Sequence, residues 1–346
     1  MHAGIVRLAL GTAQTMLLKQ DGSVWSTGVN SDGRSTSLKY VKAIPNGTTA
    51  MAIGNYFSIV LKKDGNMTIT GMTTKGPLFF FDFSQTSKRV FSAVHRISGA
   101  KSVVAGGYHA MVVTRQGYLW GIGWNKYGQL GDGTTDDRGK FTLITIAVKA
   151  AAAGDVHTIV LKQDGSVWAA GRNYNGQLGD GSKTNRNNFV LSMPGGVVDM
   201  AAGGYHSMVL KHDGSVWATG LNKYGQLGDV TMTDRLEYVQ VVSSGAQSLA
   251  AGSQHSMVLK QDGSVWTTGY NLHGQLGDGS TITSDFFGQV ISDRVKAVAA
   301  GAFHSMVLKQ DGSVWAAGSN KHGQFGDRST TSAETFIRLA PFGDGT

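Results

Sequence analysis

The chain has 346 residues, 41% apolar and only 16% charged, with 49 glycines, 4 prolines and no cysteine. This excludes a disordered chain and collagen, and it removes disulfides, thiolate metal sites and cysteine nucleophiles together. The net charge of +8 is uneven: residues 1–150 carry 17 Lys/Arg against 7 Asp/Glu, and residues 151–346 carry 14 against 16.

The first predicted strand is Ile5 to Leu10, inside MHAGIVRLALG, which has no charged region ahead of a long apolar one. No apolar run approaches the roughly 18 residues that a spanning helix needs. A soluble chain without a signal peptide is expected, its compartment left open. A repeat then begins. QTMLLKQDGSVWSTGVNSDGRS starts at Gln14 and FSIVLKKDGNMTITGMTT at Phe57. HAMVVTRQGYLWGIGWNKYGQLGD starts at His109, and close copies start at His157, His206, His255 and His304. The seven copies lie 43, 52, 48, 49, 49 and 49 residues apart.

Each copy predicts four short strands: a small-residue strand ending in glycine, a His-Ser-Met-Val-Leu-Lys strand, a Ser-Val-Trp-Ala-Ala-Gly strand, and a variable strand after a Gly/Asn-rich loop. The Asp-Gly between the second and third strands predicts a type I′ turn, with both residues tolerant of positive φ. Repeats of this length with four strands each predict an all-β, seven-bladed β-propeller of antiparallel blades in a closed ring. The first-strand pattern Ile5 to Leu10 and the last-strand pattern Phe336 to Leu339 are expected to meet between blades 7 and 1. Residues 1–346 are expected to form a single domain with one irregular repeat. In that second repeat Thr68 replaces tryptophan, Thr73 replaces asparagine, and KGPLFFFDFSQTSKRVF (75–91) replaces the Gly-Gln-Leu-Gly step.

The pattern AGGYHSMVL…DGSVWATGxNxYGQLGDG resembles the RCC1 repeat (regulator of chromosome condensation family) from Ile5 to Leu339. There are five copies of Gly-Gln-Leu/Phe-Gly and six of Asp-Gly at fixed offset. The resemblance implies a seven-bladed propeller and a non-catalytic scaffold that binds proteins across one face. One well-known member promotes guanine-nucleotide exchange on a small GTPase while docking on chromatin. Here no segment matches that factor's wedge, and the family's VACG strand reads Val298-Ala299-Ala300-Gly301.

The repeated histidines His109, His157, His206, His255 and His304 lie one per blade, so they cannot converge on one metal ion. They read as semi-buried side chains bonded to backbone. The recurrent methionines read as core, and Trp25, Trp120, Trp168, Trp217, Trp266 and Trp315 as anchors between blades. Each lysine before an Asp-Gly turn has an aspartate beside it, so no nucleic-acid stripe is read there, although the basic first half leaves nucleic acid open. Gly-Asp-Gly loops lack the Gly-Lys-Ser/Thr of a phosphate cradle, and Asp132, Asp136 and Asp137 lack EF-hand spacing. No catalytic residue, metal or cofactor is assigned.

Identical positions in a ring cannot define a unique ligand, so function is expected where the copies differ. Those positions give a partner-binding face of Tyr56, Tyr108, Trp124, Tyr127, Arg172, Tyr205, Tyr224, Tyr270 and Phe303, rich in residue types that anchor interfaces. The insert offers a second candidate in Phe79, Phe80, Phe81, Phe83, Lys88 and Arg89. The first functional reading is therefore a protein-binding scaffold. The alternatives are an exchange factor for a small GTPase, and an accessory subunit that docks through its basic first half.

Overall fold

A computed structural model of the chain describes residues 4–29, 36–55, 57–71 and 92–340. Within them, 28 strands form seven four-stranded antiparallel sheets, each built from four consecutive strands. Among the described residues no helix is long and apolar enough to cross a membrane. Blade 4 shows the pattern: Val148–Ala153 lies innermost, then His157–Lys162, Val167–Gly171 and the outermost Arg186–Met193. The innermost strands contact one another around the axis, and Ile5–Leu10 touches both Thr48–Ile53 and Val295–Ala300. Where these strands converge at the axis room is short, and five of the seven end in Ala while a Gly follows every one of them.

Closure occurs by packing between blades, with no strand exchanged. Ile5, Leu17, Trp25 and Tyr40 of blade 1 share a core with Met306, Leu308, Val314 and Leu339 of blade 7. Leu38 O accepts a hydrogen bond from Arg328 N at 2.7 Å, and Thr27 Oγ1 donates to Gly323 O at 2.7 Å. The two ends of the repeat array meet as the pattern predicts.

The alternation of side chains explains why both faces of each strand are apolar. On His206–Lys211, Met208 and Leu210 pack toward blade 6 while Val209 packs toward blade 4. The repeated tryptophans sit on the preceding blade: Trp168 joins the blade 3 core, Trp217 that of blade 4, and Trp25 that of blade 7. Four of the turn lysines, Lys19, Lys211, Lys260 and Lys309, add a cation over the indole, with Lys260 Nζ 4.0 Å from the Trp266 ring centre and Lys211 Nζ 4.2 Å from that of Trp217.

The Asp-Gly turns differ from expectation. Gly22 and Gly312 have positive φ (77° and 80°), whereas Asp21 and Asp311 do not. Gly22 N donates to Lys19 O, and Lys19 N donates to Ser23 O. This is a three-residue loop, a type I turn closed by a glycine bulge. The aspartate is there for its side chain: Asp21 Oδ1 accepts from Ser23 N at 2.8 Å, and Ser23 Oγ accepts from Trp25 Nε1. The turn thus orients the indole that packs on the preceding sheet.

The histidines also differ. They are fully buried, and each reaches a hydroxyl of the next blade rather than backbone. His109 Nε2 is 2.7 Å from Thr158 Oγ1, His206 Nε2 2.9 Å from Ser256 Oγ, and His304 Nε2 3.1 Å from Thr15 Oγ1. Thr158 Oγ1 donates to Gln129 O and Ser256 Oγ to Gln226 O, so the hydroxyl must accept from Nε2–H. Nδ1 is left unprotonated against the glycine three residues upstream, with no partner among the described residues. The relays from His109, His157, His206 and His255 return to the blade they started from, clamping the pair.

At the junction of blades 2 and 3 both members of the relay change together. Phe57 stands in the histidine position and Ala110 in the hydroxyl position, and both are buried in one core. Replacing both partners of a hydrogen bond by apolar groups is nearly neutral, whereas removing one strands a buried donor. Ser256→Ala is therefore expected to cost about 1–3 kcal/mol by leaving His206 Nε2–H unpaired. The double variant His206→Phe/Ser256→Ala should cost about 1 kcal/mol less than the sum of the singles. Urea unfolding of the four proteins measures the coupling, and strict additivity would show that the relay is not a unit.

Candidate functional site

In a four-stranded meander, the loop from first to second strand and the loop from third to fourth leave from the same end. The Asp-Gly turn leaves from the other. The variable positions singled out from the sequence therefore share one face of the ring.

The loop that carries many of them is built like a clip. Buried Asn125 donates through Nδ2 to Asp132 Oδ1 at 3.0 Å and accepts from Leu130 N at 2.9 Å. Asp132 is also paired to Arg138 at 2.6 Å. The same arrangement recurs at Asn173, Asp180 and Arg186 and at Asn222, Asp229 and Arg235. Ionic and hydrogen-bond partners hold the Asp132 carboxyl below its usual range, although burial opposes this. The Gly-Asp-Gly aspartate is thus a structural tie. The last glycine of each Gly-Gln-Leu-Gly step lies against an aromatic ring of the next blade. A Cβ on Gly228 would stand 2.6 Å from the Phe287 ring. Tyr40, Phe189, Tyr238, Phe287 and Phe336 fill this slot on the outer strands. Their flanking segments share no motif, so nothing in the sequence marks them.

On this rigid base the candidate residues gather into two clusters. In the first, Tyr108 meets Trp124 edge-on at 5.5 Å and Trp124 meets Tyr127 at 5.3 Å. The Arg172 guanidinium lies 5.7 Å from the Tyr127 ring centre, 4.9 Å from Tyr174 and 5.0 Å from Tyr205. In the second, Tyr224 meets Tyr270 at 5.1 Å, and Tyr270 meets Phe303 at 6.4 Å with His273 against both. Together they span blades 3 to 7. These rings are half-buried, while Tyr174 is 51% exposed. Tyr174 and His273 extend the sequence-derived set. Tyr174 occupies a slot held elsewhere by Lys126, Lys223, Leu272 and Lys321, a difference visible by aligning the copies. Tyr56, and Phe79, Phe80, Phe81, Phe83, Lys88 and Arg89 of the insert, lie outside the described residues.

Inside this arc is the mouth of the axial channel. It has a volume of about 200 Å³ and is walled mainly by glycines and alanines, with Leu10 and Ile53 on blades 1 and 2 and with Asn55, Asp155 and Ser253 as polar side chains. Asn55 Nδ2 donates to Asp155 Oδ1 at 3.2 Å, and Thr12 Oγ1 donates to Asn55 Oδ1 at 3.2 Å. Burial pushes the Asp155 carboxyl up. Burial, and then the charge of Asp155, push the Tyr205 phenol up, so the two groups sense each other. Asp155 was not among the sequence candidates. It stands where Gly107 and Gly204 stand in neighbouring copies, and that exchange of glycine for an acid was its signal. Among the described residues no group of three His, Cys, Asp or Glu side chains is placed to hold a metal ion.

The blades, the clip and the aromatic face define a repeat-built β-propeller with a cluster of variable aromatic positions at one end. Two models of the regulator of chromosome condensation (RCC1) repeat match the chain. One covers residues 116–161, 164–210, 213–259 and 262–308, the other five stretches from 100–129 to 295–324. The chain belongs to the RCC1 repeat family. No curated protein matches it. Among solved structures it is similar to Prp20p from Saccharomyces cerevisiae, with a TM-score of 0.79 and 18% identity over 98% of this chain and 88% of that one. That structure was described with its binding to Gsp1p and histones. Human WBSCR16 has a TM-score of 0.68 and 20% identity over 97% of this chain and 82% of that one. The ectodomain of the Physcomitrella patens receptor kinase CR4 has a TM-score of 0.58 and 14% identity over 91% and 73%. At these identities the likeness concerns the fold.

Proposed function

We propose that the chain is a non-catalytic recognition propeller that binds a partner protein through the face carrying Tyr108, Trp124, Arg172, Tyr205, Tyr270 and Phe303, with its seven repeats acting as one unit. The observation that carries this is the convergence of variable aromatic residues from blades 3 to 7 on one end of a ring whose invariant positions are spent on structure. Aromatic and arginine side chains with preset geometry make strong anchors because they bury large areas at small entropic cost. Prp20p is described with protein partners, and a protein partner is what this reading gives the present chain.

The test is affinity capture with the wild type, a Tyr108→Ala/Trp124→Ala/Tyr205→Ala variant, and a Gln163→Ala/Gln261→Ala control at the opposite end. The captured protein, once purified, should bind the face variant at least tenfold more weakly, as expected when anchors worth about 2 kcal/mol are lost. The control should bind normally. A partner held equally by all three removes the face from the function. A nucleotide-release assay on the captured protein separates recognition from guanine-nucleotide exchange.

A further inference from the structure

The axial mouth contains one ionisable side chain with no countercharge. At the ring position following the channel glycine, the copies carry Thr12, Asn55, Gly107, Asp155, Gly204, Ser253 and Ala302. Asp155 is the single charged residue in that circle. Asn55 reaches its Oδ1 past blade 3 because Gly107 has no side chain; a Cβ there would stand 3.1 Å from Asn55 Nδ2. On the other side Gly204 leaves Oδ2 uncovered; a Cβ there would stand 3.2 Å from it. Oδ2 takes no hydrogen bond and Asp155 forms no ion pair among the described residues. Arg172 is stacked among Tyr127, Tyr174 and Tyr205 instead. A desolvated carboxylate without a cation costs stability, and burial raises its proton affinity. Such a group is a common mark of a site completed by something else.

We infer that the axial mouth receives a lysine side chain of the partner protein, with Asp155 Oδ2 as counter-ion to its ammonium. This rests on the face reading above. The chemistry selects lysine over arginine. One carboxylate oxygen is committed to Asn55, and the guanidinium fork needs two. The lysine stem is apolar and unbranched, matching a wall of Ala and Gly. Its ammonium is a compact charge that one oxygen and the amide and hydroxyl of Asn55 and Ser253 can surround. The aromatic collar outside favours a cation on the approach path.

The probe is n-butylammonium chloride, with n-butanol and sodium chloride at matched ionic strength as controls, titrated against the isotope-labelled full chain. Amide signals of Gly154, Asp155, Gly204 and Ser253 should shift saturably with butylammonium and not with either control. Asp155→Asn keeps the shape and the Asn55 contact, and it should weaken the probe at least tenfold with the melting temperature equal to or above wild type. An equal response to butanol, or unchanged binding in Asp155→Asn, overturns the inference. Trp124→Ala should leave the probe titration unchanged. Loss of partner capture in Trp124→Ala with full capture by Asp155→Asn sinks the lysine site and spares the face. Capture retained in Trp124→Ala while the probe still binds at Asp155 sinks the face reading instead.

Discussion

Acidification from pH 7 to pH 5 is expected to unfold this propeller, before its carboxylates are protonated. Five buried histidines are held neutral. Burial lowers His109, His157, His255 and His304 to about 3 and His206 to about 4. In the unfolded chain each returns to about 6.5. Between those values the unfolded state binds more protons, so stability is complete above pH 6.5 and falls as the pH drops toward 3. At pH 5 each histidine contributes about 2 kcal/mol of loss, and five independent ones about 10 kcal/mol, comparable to the whole stability of a domain. The hydrogen-bonded turn aspartates, lowered from their usual value, add to the loss only at still lower pH. The urea midpoint should therefore fall steeply between pH 6.5 and 5, with a proton uptake on unfolding approaching five. His206→Phe/Ser256→Ala should reduce that uptake by one. A midpoint that stays level from pH 7 to pH 5 would mean that the rings accept protons within the fold.

Much of the architecture is written in the sequence because every blade restates it. Seven copies at nearly constant spacing specify seven sheets, and Asp-Gly, Trp and Gly-Gln-Leu-Gly mark where each strand turns. What escaped is what lies between copies. The hydroxyl that meets His109 is Thr158, which is 49 residues away and in the next blade. No pattern within one repeat connects them, although the copy itself holds both halves as His157 followed by Thr158. The turn type was misread because Asp-Gly suits two geometries. The tie that selects the three-residue loop runs from the backbone N–H of Ser23 to the Asp21 carboxylate, a bond that the Asp-Gly pair alone does not display. On the face, the sequence located the positions that differ but not their grouping. Arg172 gathers tyrosines from three blades. Asp155 was passed over because it looks like one more substitution in a glycine-rich loop, and its meaning comes from the glycines on either side of it in space.

The glycines divide into those that permit the ring and those that merely loosen the chain, and substitution should separate them. Gly203 precedes His206 by three residues. An added Cβ would overlap His206 Cε1 and stand 2.5 Å from Gly252 O of the next blade. The imidazole cannot swing away, because Ser256 holds Nε2, and the carbonyl belongs to the backbone of the neighbouring sheet. Gly203→Ala must therefore separate two blades, and is expected to cost about 3 kcal/mol or more. Gly195 lies in the loop entering blade 5, with no atom within 4 Å of an added Cβ and without positive φ. Gly195→Ala should be neutral or stabilise by about 0.5 kcal/mol through the unfolded chain. The same contrast predicts where the ring first opens on heating: hydrogen exchange in Gly203→Ala should accelerate at the junction of blades 5 and 6 before it does elsewhere. If both variants unfold at the wild-type urea midpoint, close approach at the axis is not what selects glycine there, and the ring would be held by its outer clips instead.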